Sequence, residues 1–521
     1  MNYVDYLVVL AFMGGFLMLG YFFKNNKGGK DYFLGGKSFG WFPLSLSTAA
    51  TQLSAISFVS APAFVGFKEN GGMKWLTFEF GVPLAMIFLM IFLIPPIYKA
   101  GVVSVYAYLE KRFDTSTRVM ISIVFQISRA FAASVMLYTV ALILTSVMAL
   151  PVWATILIIG VVTLIYSYQG GMKAVVYGDV IQMIILFVGI LICLFVGIYH
   201  IGGWENFVTN VSTDRLQAVN FESLGFSEGD DFGFWPMLLG GFFLYVSYYG
   251  TDQMQVQRLL SARDMKTVKQ TLFFNGIMRF PITLLYCIMG LVVGTLAVTD
   301  ASFLANVPLD KPDLLIPVFI RDYLPHGLIG VLMVAIFSAA MSSISSAINS
   351  LSAATVEDLI VRGDEEKGKH YLKYSKRAAL VWGIICITLA FFTGDIAKTV
   401  IEAINKVGSV FYGPILATFI AAVAIKKVNA TGAKSGLIAG VLVNVYLWQF
   451  VPEVFWFWWN AIGTFVTLTV AIIVSQVSKE PAKGTDTLSL KVESYEPTKT
   501  ITLILFFALI VLISYFIPQL I

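Results

Sequence analysis

The sequence predicts an all-α protein threaded repeatedly through a lipid bilayer, on three observations. Of its 521 residues 58% are hydrophobic and only 13% charged, against about a quarter charged in soluble domains. The apolar residues gather into runs of about 18 or more, the length that crosses a bilayer. The basic residues between those runs concentrate on alternate loops.

Taken in order, about fourteen runs qualify as transmembrane helices: roughly 2–24, 40–65, 75–97, 119–148, 151–168, 174–199, 234–257, 270–297, 315–357, 378–396, 400–425, 435–451, 454–477 and 501–519. The first lacks the basic start and small-residue cleavage site of a signal peptide and reads as a retained span. The run 315–357 is long for one span and is expected to begin with a short separate helix.

With the N-terminus outside, the loops at 24–39, 97–118, 169–173, 258–269, 360–377, 426–434 and 478–500 are cytoplasmic. They carry 26 of the 35 Lys and Arg. Six lie on the other side, where the loop 200–233 is acidic. Arg129, Arg279 and Lys406 fall inside spans. This charge asymmetry places both termini outside the cytoplasm of a multi-pass plasma (inner) membrane protein.

Other classes find little support. A net charge of +4 without a basic run argues against nucleic acid. Cys193, Cys287 and Cys386 lie in apolar runs without CxxC spacing and read as small buried hydrophobes. No catalytic dyad or phosphate loop appears, so an enzyme is not expected. The polar stretch 478–500 reads as a linker.

Two spans look interrupted. "PLSLSTAATQLSAISF" (Pro43 to Phe58) and "GGFFLYVSYYGTDQMQVQR" (Gly240 to Arg258) put polar residues where lipid favours Leu. Unwound backbone is tolerated at membrane depth only where it lines a cavity or is buried in protein. The two breaks open two blocks of five spans, a layout that points to an inverted-repeat transporter. The chain then divides into 1–39 (an extra span and cytoplasmic loop), 40–200 (first repeat), 201–233 (external loop), 234–425 (second repeat) and 426–521 (C-terminal spans). Polar residues gluing helices together is the other reading of these spans.

"FSAAMSSISSAINS" (Phe337 to Ser350) holds six serines. Ser338, Ser342, Ser345, Ser346 and Asn349 share one helical face. Small residues four apart suit close helix packing. Hydroxyls with freed carbonyls also suit a hard cation. Spacing alone favours packing. Asp179, in "GGMKAVVYGDVIQ" (Gly170 to Gln182), sits about two turns into a span. An intramembrane carboxylate is a functional candidate that needs a cation, a proton or a buried partner.

Together with "DYFLGGKS" (Asp31 to Ser38), "YLEKRFD" (Tyr108 to Asp114), "DQMQVQR" (Asp252 to Arg258) and "VNATGAKSGLIAG" (Val428 to Gly440), these stretches resemble the sodium/solute symporter family over about residues 30–440. The resemblance implies a leucine-transporter-like 5+5 inverted-repeat core. It also implies a main sodium site at the carbonyls of Ala50, Leu53 and Ala339 and the hydroxyls of Ser342 and Ser343. A second sodium, bound in some members through an aspartate and two serines, would fall at Asp179, Ser345 and Ser346.

For substrate, Glu79 matches the sugar-binding Glu of sodium/galactose symporters, and Arg279 stands where their Lys would be. Tyr245 and Ser57 replace their Asn and Gln, while Tyr248 matches the aromatic inner gate. The carboxylate-clamping Arg of sialic acid symporters falls at Ala132, with Arg129 one turn earlier on roughly the same face. Ser54 and Asn405 complete the candidate set. Glu79 and Arg279 also have the chemistry to pair with each other.

The implied activity is Na⁺-coupled symport of a small organic solute (sugar, sialic acid or monocarboxylate-like) by alternating access, performed by a monomer. Na⁺ is the expected coupling ion. A proton-coupled transporter of the same fold, with Asp179 cycling a proton, and a non-transporting membrane sensor are the alternatives.

Overall fold

The computed structural model describes the chain apart from residues 54, 228, 230, 310, 363–369, 394–399, 479 and 483–494 and the side chains of 55, 56 and 400–405. The described residues are overwhelmingly helical. Ten helices are long and apolar enough to cross a bilayer, or eleven if one bent pair is a single span. The expected fourteen is not reached by that measure, partly because two expected spans, 151–168 and 174–199, run on as one element.

Helix α1 (Tyr3–Phe22) opens with a reciprocal cap between Asn2 and Asp5. It buries only one stripe, Asp5, Val9, Met13, Phe16 and Gly20, as a peripheral span should. The first interrupted span is α2 (Trp41–Gln52) and α3 (Ala55–Gly66), bent by 57°. Next come α4 (Met73–Lys99), α5 (Thr115–Met148) and α6 (Val152–Ile201). Inside α6 the backbone breaks at Gly171, with φ 56° and ψ −147°. A Cβ there would lie 2.6 Å from the Tyr32 carbonyl oxygen, so the turn between the two spans needs glycine.

The second interrupted span is α7 (Gly241–Thr251) and α8 (Gln253–Leu260). Between them Asp252 is extended (φ −79°, ψ 121°), and its Oδ1 accepts from Met254 N at 2.8 Å. Both interruptions expected from the sequence are therefore present. Helix α9 (Met265–Thr299) follows, then the short α10 (Leu315–Tyr323) and the long α11 (Leu328–Ala354), as the length of the 315–357 run implied. The remaining helices are α12 (Tyr371–Ala390), α13 (Val400–Ala424), α14 (Ala430–Phe450), α15 (Trp456–Ser478) and α16 (Pro497–Leu520).

Burial sorts these helices into core and rim. The apolar window of the span containing α11 is 89% buried, against 28% for α1 and α16. The serine-rich helix is thus the centre of the bundle, packed on α2, α3, α5, α6 and α12. Its start is held by α1. The Asp5 carboxylate accepts from Gly327 N at 2.6 Å and Gly330 N at 3.0 Å, filling donors that a helix start leaves free. The three cysteines are free and buried, as expected.

Helix α3 meets α9 backbone to backbone. Gly66, Gly290 and Gly294 face one another with Pro62, and a Cβ on Gly290 would lie 2.5 Å from the Pro62 carbonyl oxygen. Small residues let helix backbones approach this closely in a membrane. At one end of the bundle, Arg118 bonds Asp358 (2.7 Å) and the Glu357 carbonyl (2.6 Å). Arg112 covers the carbonyls of Ile425, Lys426 and Val428 beyond the end of α13.

Candidate ion and substrate site

The ion-site residues converge at the first break. The α2 ladder ends where Leu53 N donates to Ala49 O at 2.9 Å, and Leu53 itself has left the helix (ψ 87°). The last carbonyls of a helix have no intrahelical donor, and Ala50 and Leu53 stand at this helix end. Helix α11 packs across this break and supplies Ala339, Ser342 and Ser343, all buried. Ser343 Oγ rests on its own helix, donating to Ala339 O at 3.3 Å. Ser342 Oγ donates to Asp179 Oδ1 at 2.6 Å. That bond uses the hydroxyl proton and leaves oxygen lone pairs for a cation. Neutral carbonyl and hydroxyl oxygens form a set suited to a hard cation such as Na⁺.

Asp179, expected with Ser345 and Ser346 at a second sodium, already has a charged partner in the protein. Its partner is a guanidinium: Arg258 Nη2 lies 2.7 Å from Asp179 Oδ2. Arg258 also donates through Nε to Ser47 Oγ (2.7 Å), through Nη1 to Met254 O (2.6 Å), and through Nη2 to Ser346 Oγ. Ser47 in turn donates to Asp179. Ser345 Oγ donates to the Ser342 carbonyl at 3.0 Å and not to Asp179. The Asp179 carboxylate is thus met by one guanidinium and the hydroxyls of Ser47 and Ser342. The sequence reading had placed Arg258 in a cytoplasmic loop, yet it is 1% exposed.

The remaining polar residues of α11 divide as their spacing allowed. Ser350 bonds its own helix, donating to Ala347 O at 3.0 Å. Asn349 Oδ1 accepts from Gln257 Nε2 at 2.6 Å.

The substrate candidates do not gather in one place. Glu79, near the start of α4, is closed by Arg279 of α9. Nη2 donates to Oε1 at 2.7 Å and Nε to Oε2 at 3.2 Å, and Thr283 adds a bond at 2.9 Å. The two groups matched to sugar contacts thus pair with each other, although the buried Nη1 of Arg279 has no hydrogen-bond partner. Tyr245 is buried on α7, its ring 6.3 Å from that of Tyr249, whose hydroxyl donates to Gln52 across the two breaks. Ser57 is half-buried on α3. Ser54 and the Asn405 side chain lie outside the described residues.

Arg129 stands apart from that cluster. It lines a cavity of about 80 Å³ between α5, α13 and the break before α8. The wall includes Phe125, Phe131, Asp252, Phe411 and Tyr412. Arg129 Nη2 meets Asp252 Oδ2, its guanidinium stands 6.0 Å from the Tyr248 ring centroid, and its buried Nε has no hydrogen-bond partner. Asp252, Arg258, Ser47 and Tyr412 are the residues sequence reasoning missed. The polar "DQMQVQR" inside an apolar frame was the available signal for the first two.

Comparison with known proteins agrees with this architecture. The model of the sodium:solute symporter family matches residues 32–440. The human sodium/iodide cotransporter is 28% identical over 85% of this chain and 68% of its own length. Sodium-coupled monocarboxylate transporter 1 of Xenopus laevis is 30% identical over 85% and 71%. The solved outward-open, substrate-bound structure of a Na⁺-coupled sialic acid symporter superposes with a TM-score of 0.81 at 25% identity, covering 93% of this chain and 99% of that one. The all-α, leucine-transporter-like core, the multi-pass membrane setting and the coupling ion, Na⁺, follow from these matches. A family match spanning most of the sequence carries the conclusion: the chain belongs to the sodium:solute symporter family, and is a Na⁺-coupled transporter rather than an enzyme.

Proposed function

We propose that this symporter binds its coupling Na⁺ at Ala50, Leu53, Ala339, Ser342 and Ser343, and carries a small organic carboxylate seated on Arg129. The observation that carries the substrate reading is Arg129 itself, an arginine with an unpartnered Nε at the wall of an enclosed, largely apolar cavity. Guanidinium is the side-chain group best shaped to take a carboxylate by two parallel hydrogen bonds. The sodium/iodide and monocarboxylate relatives, and the sialic acid symporter, support an anionic group on the solute. A sugar finds less here, because Glu79 and Arg279 are paired through two hydrogen bonds, which leaves Arg279 only Nη1 unmatched.

Sodium would knit the break after α2 to α11. In the same step Asp179, through Ser342, orients one of the ion's ligands. The division into repeats at 40–200 and 234–425, flanked by 1–39, the loop 201–233 and 426–521, belongs to this reading. So do a plasma membrane location, extracytoplasmic termini and function as a monomer in the lipid bilayer, without nucleic acid.

The test is a thermal-shift and proteoliposome-uptake screen of monocarboxylates, sialic acids, sugars and polyols, with Na⁺ or K⁺. Na⁺-dependent stabilisation by a carboxylate, abolished in Arg129→Ala, is the expected result. Uptake indifferent to replacement of Na⁺ by K⁺ would remove the sodium site. A sugar response untouched by Arg129→Ala would remove the substrate reading.

A further inference from the structure

The cavity at Arg129 carries a second charge, and it narrows the substrate class. We infer that the site takes a zwitterion: an α-amino acid with an apolar side chain, its carboxylate on Arg129 and its ammonium on Asp252. The inference rests on the reading of Arg129 as the carboxylate anchor and adds the role of Asp252.

Asp252 already has a local task, since its Oδ1 caps the start of α8 through Met254 N. Asn caps about as well as Asp. Capping therefore does not explain a full negative charge 4% exposed inside a membrane protein. The other oxygen, Oδ2, is turned to Arg129 across the cavity wall. Burying such a pair does not by itself add stability, because apolar residues of similar volume do as well or better. Its presence at a cavity wall calls for a ligand.

The sign of that ligand follows from charge balance. A plain anion on Arg129 would face the Asp252 carboxylate at contact distance in a medium of low dielectric, where like charges repel strongly. A plain cation on Asp252 would face Arg129. A zwitterion exchanges one ion pair for two and leaves the site neutral. Because the two side chains touch, the matching charges on the ligand must also be adjacent, as on one α-carbon and not at opposite ends of a chain. The Tyr248 and Tyr412 rings beside them can share the ammonium. The rest of the wall is aromatic and aliphatic, so the side chain should be apolar.

The test uses the full chain in lipid nanodiscs in Na⁺. Leucine and phenylalanine are compared with isocaproate (leucine's skeleton without the ammonium) and leucine methyl ester (without the carboxylate), by binding and by proteoliposome uptake. We expect an amino acid to bind about tenfold or more tightly than isocaproate or the ester. Asp252→Asn, which keeps the cap, should erase the preference over isocaproate. If isocaproate binds wild type as well as either amino acid, the zwitterion inference is overturned and the carboxylate reading stands. If neither the amino acids nor isocaproate bind, both fall. The wild-type comparison decides the matter even if Asp252→Asn does not fold.

Discussion

Arg258 and Arg129 each meet an aspartate inside the bundle, yet the two pairs are built in opposite ways. Arg258 spends Nε, Nη1 and Nη2 on Ser47, Met254, Asp179 and Ser346, drawing together α2, α6, α8 and α11. No room is left for a solute. Arg129 meets Asp252 and the Tyr412 hydroxyl, leaves Nε unmatched and lines a cavity. A saturated pair fixes geometry, whereas an unsaturated pair at a cavity wall retains binding capacity. Ionisable residues within a membrane are read by default as functional; the count of their satisfied hydrogen bonds says which kind of function.

The sharpest way to break this contrast is Arg258→Ala. It strands the Asp179 carboxylate in a dry site, and removing one partner of a buried pair costs about 3–5 kcal/mol. The fraction of protein remaining monodisperse in detergent after heating should collapse. Thermal resistance equal to wild type would show that the pair fixes nothing.

Arg129→Ala should do the reverse. Substrate affinity should fall by about 1.5–3 kcal/mol, the worth of hydrogen bonds to a charged group, with a smaller change in heat resistance. A substrate KM unmoved in uptake assays would put Arg129 with the structural residues. Ser343→Ala removes one proposed sodium ligand and should raise the Na⁺ concentration for half-maximal uptake about tenfold, or about 1.4 kcal/mol. An unaltered sodium curve counts against its place in the site. The smallest effect on uptake belongs to Ser47→Ala, which deletes one link of the saturated pair and should cost about 1.5–3 kcal/mol in thermal stability, without changing substrate preference.

Much of this molecule was legible in its sequence, for reasons that are physical. A bilayer forces long apolar runs, so the spans announce themselves. A break in such a run must be lined by protein or cavity, so "STAATQLSAIS" and "YYGTDQMQVQR" marked both interruptions. The sodium-site serines were visible as a hydroxylated face on an otherwise apolar helix. What stayed hidden were pairings between distant segments. Asp179 and Arg258 are 79 positions apart, and no local pattern joins them. Arg258 closes the polar stretch "DQMQVQR" and opens the segment 258–269 with its four basic residues, which is how a loop arginine looks. The Glu79–Arg279 pair was anticipated as one of two possibilities; only packing could decide whether the two face each other or a solute.

The seam of Gly66, Gly290 and Gly294 has a mechanical meaning. Helices whose backbones touch cannot slide without opening a void, so α3 and α9 should travel as one plank through any cycle of access. The flexure needed to expose one face of the protein and then the other must then gather at the joint between α2 and α3. That joint is where two of the proposed sodium ligands, Ala50 and Leu53, lie. A cation seated there would act as a wedge in a hinge, setting the angle of the joint directly, with no relay through the rest of the bundle.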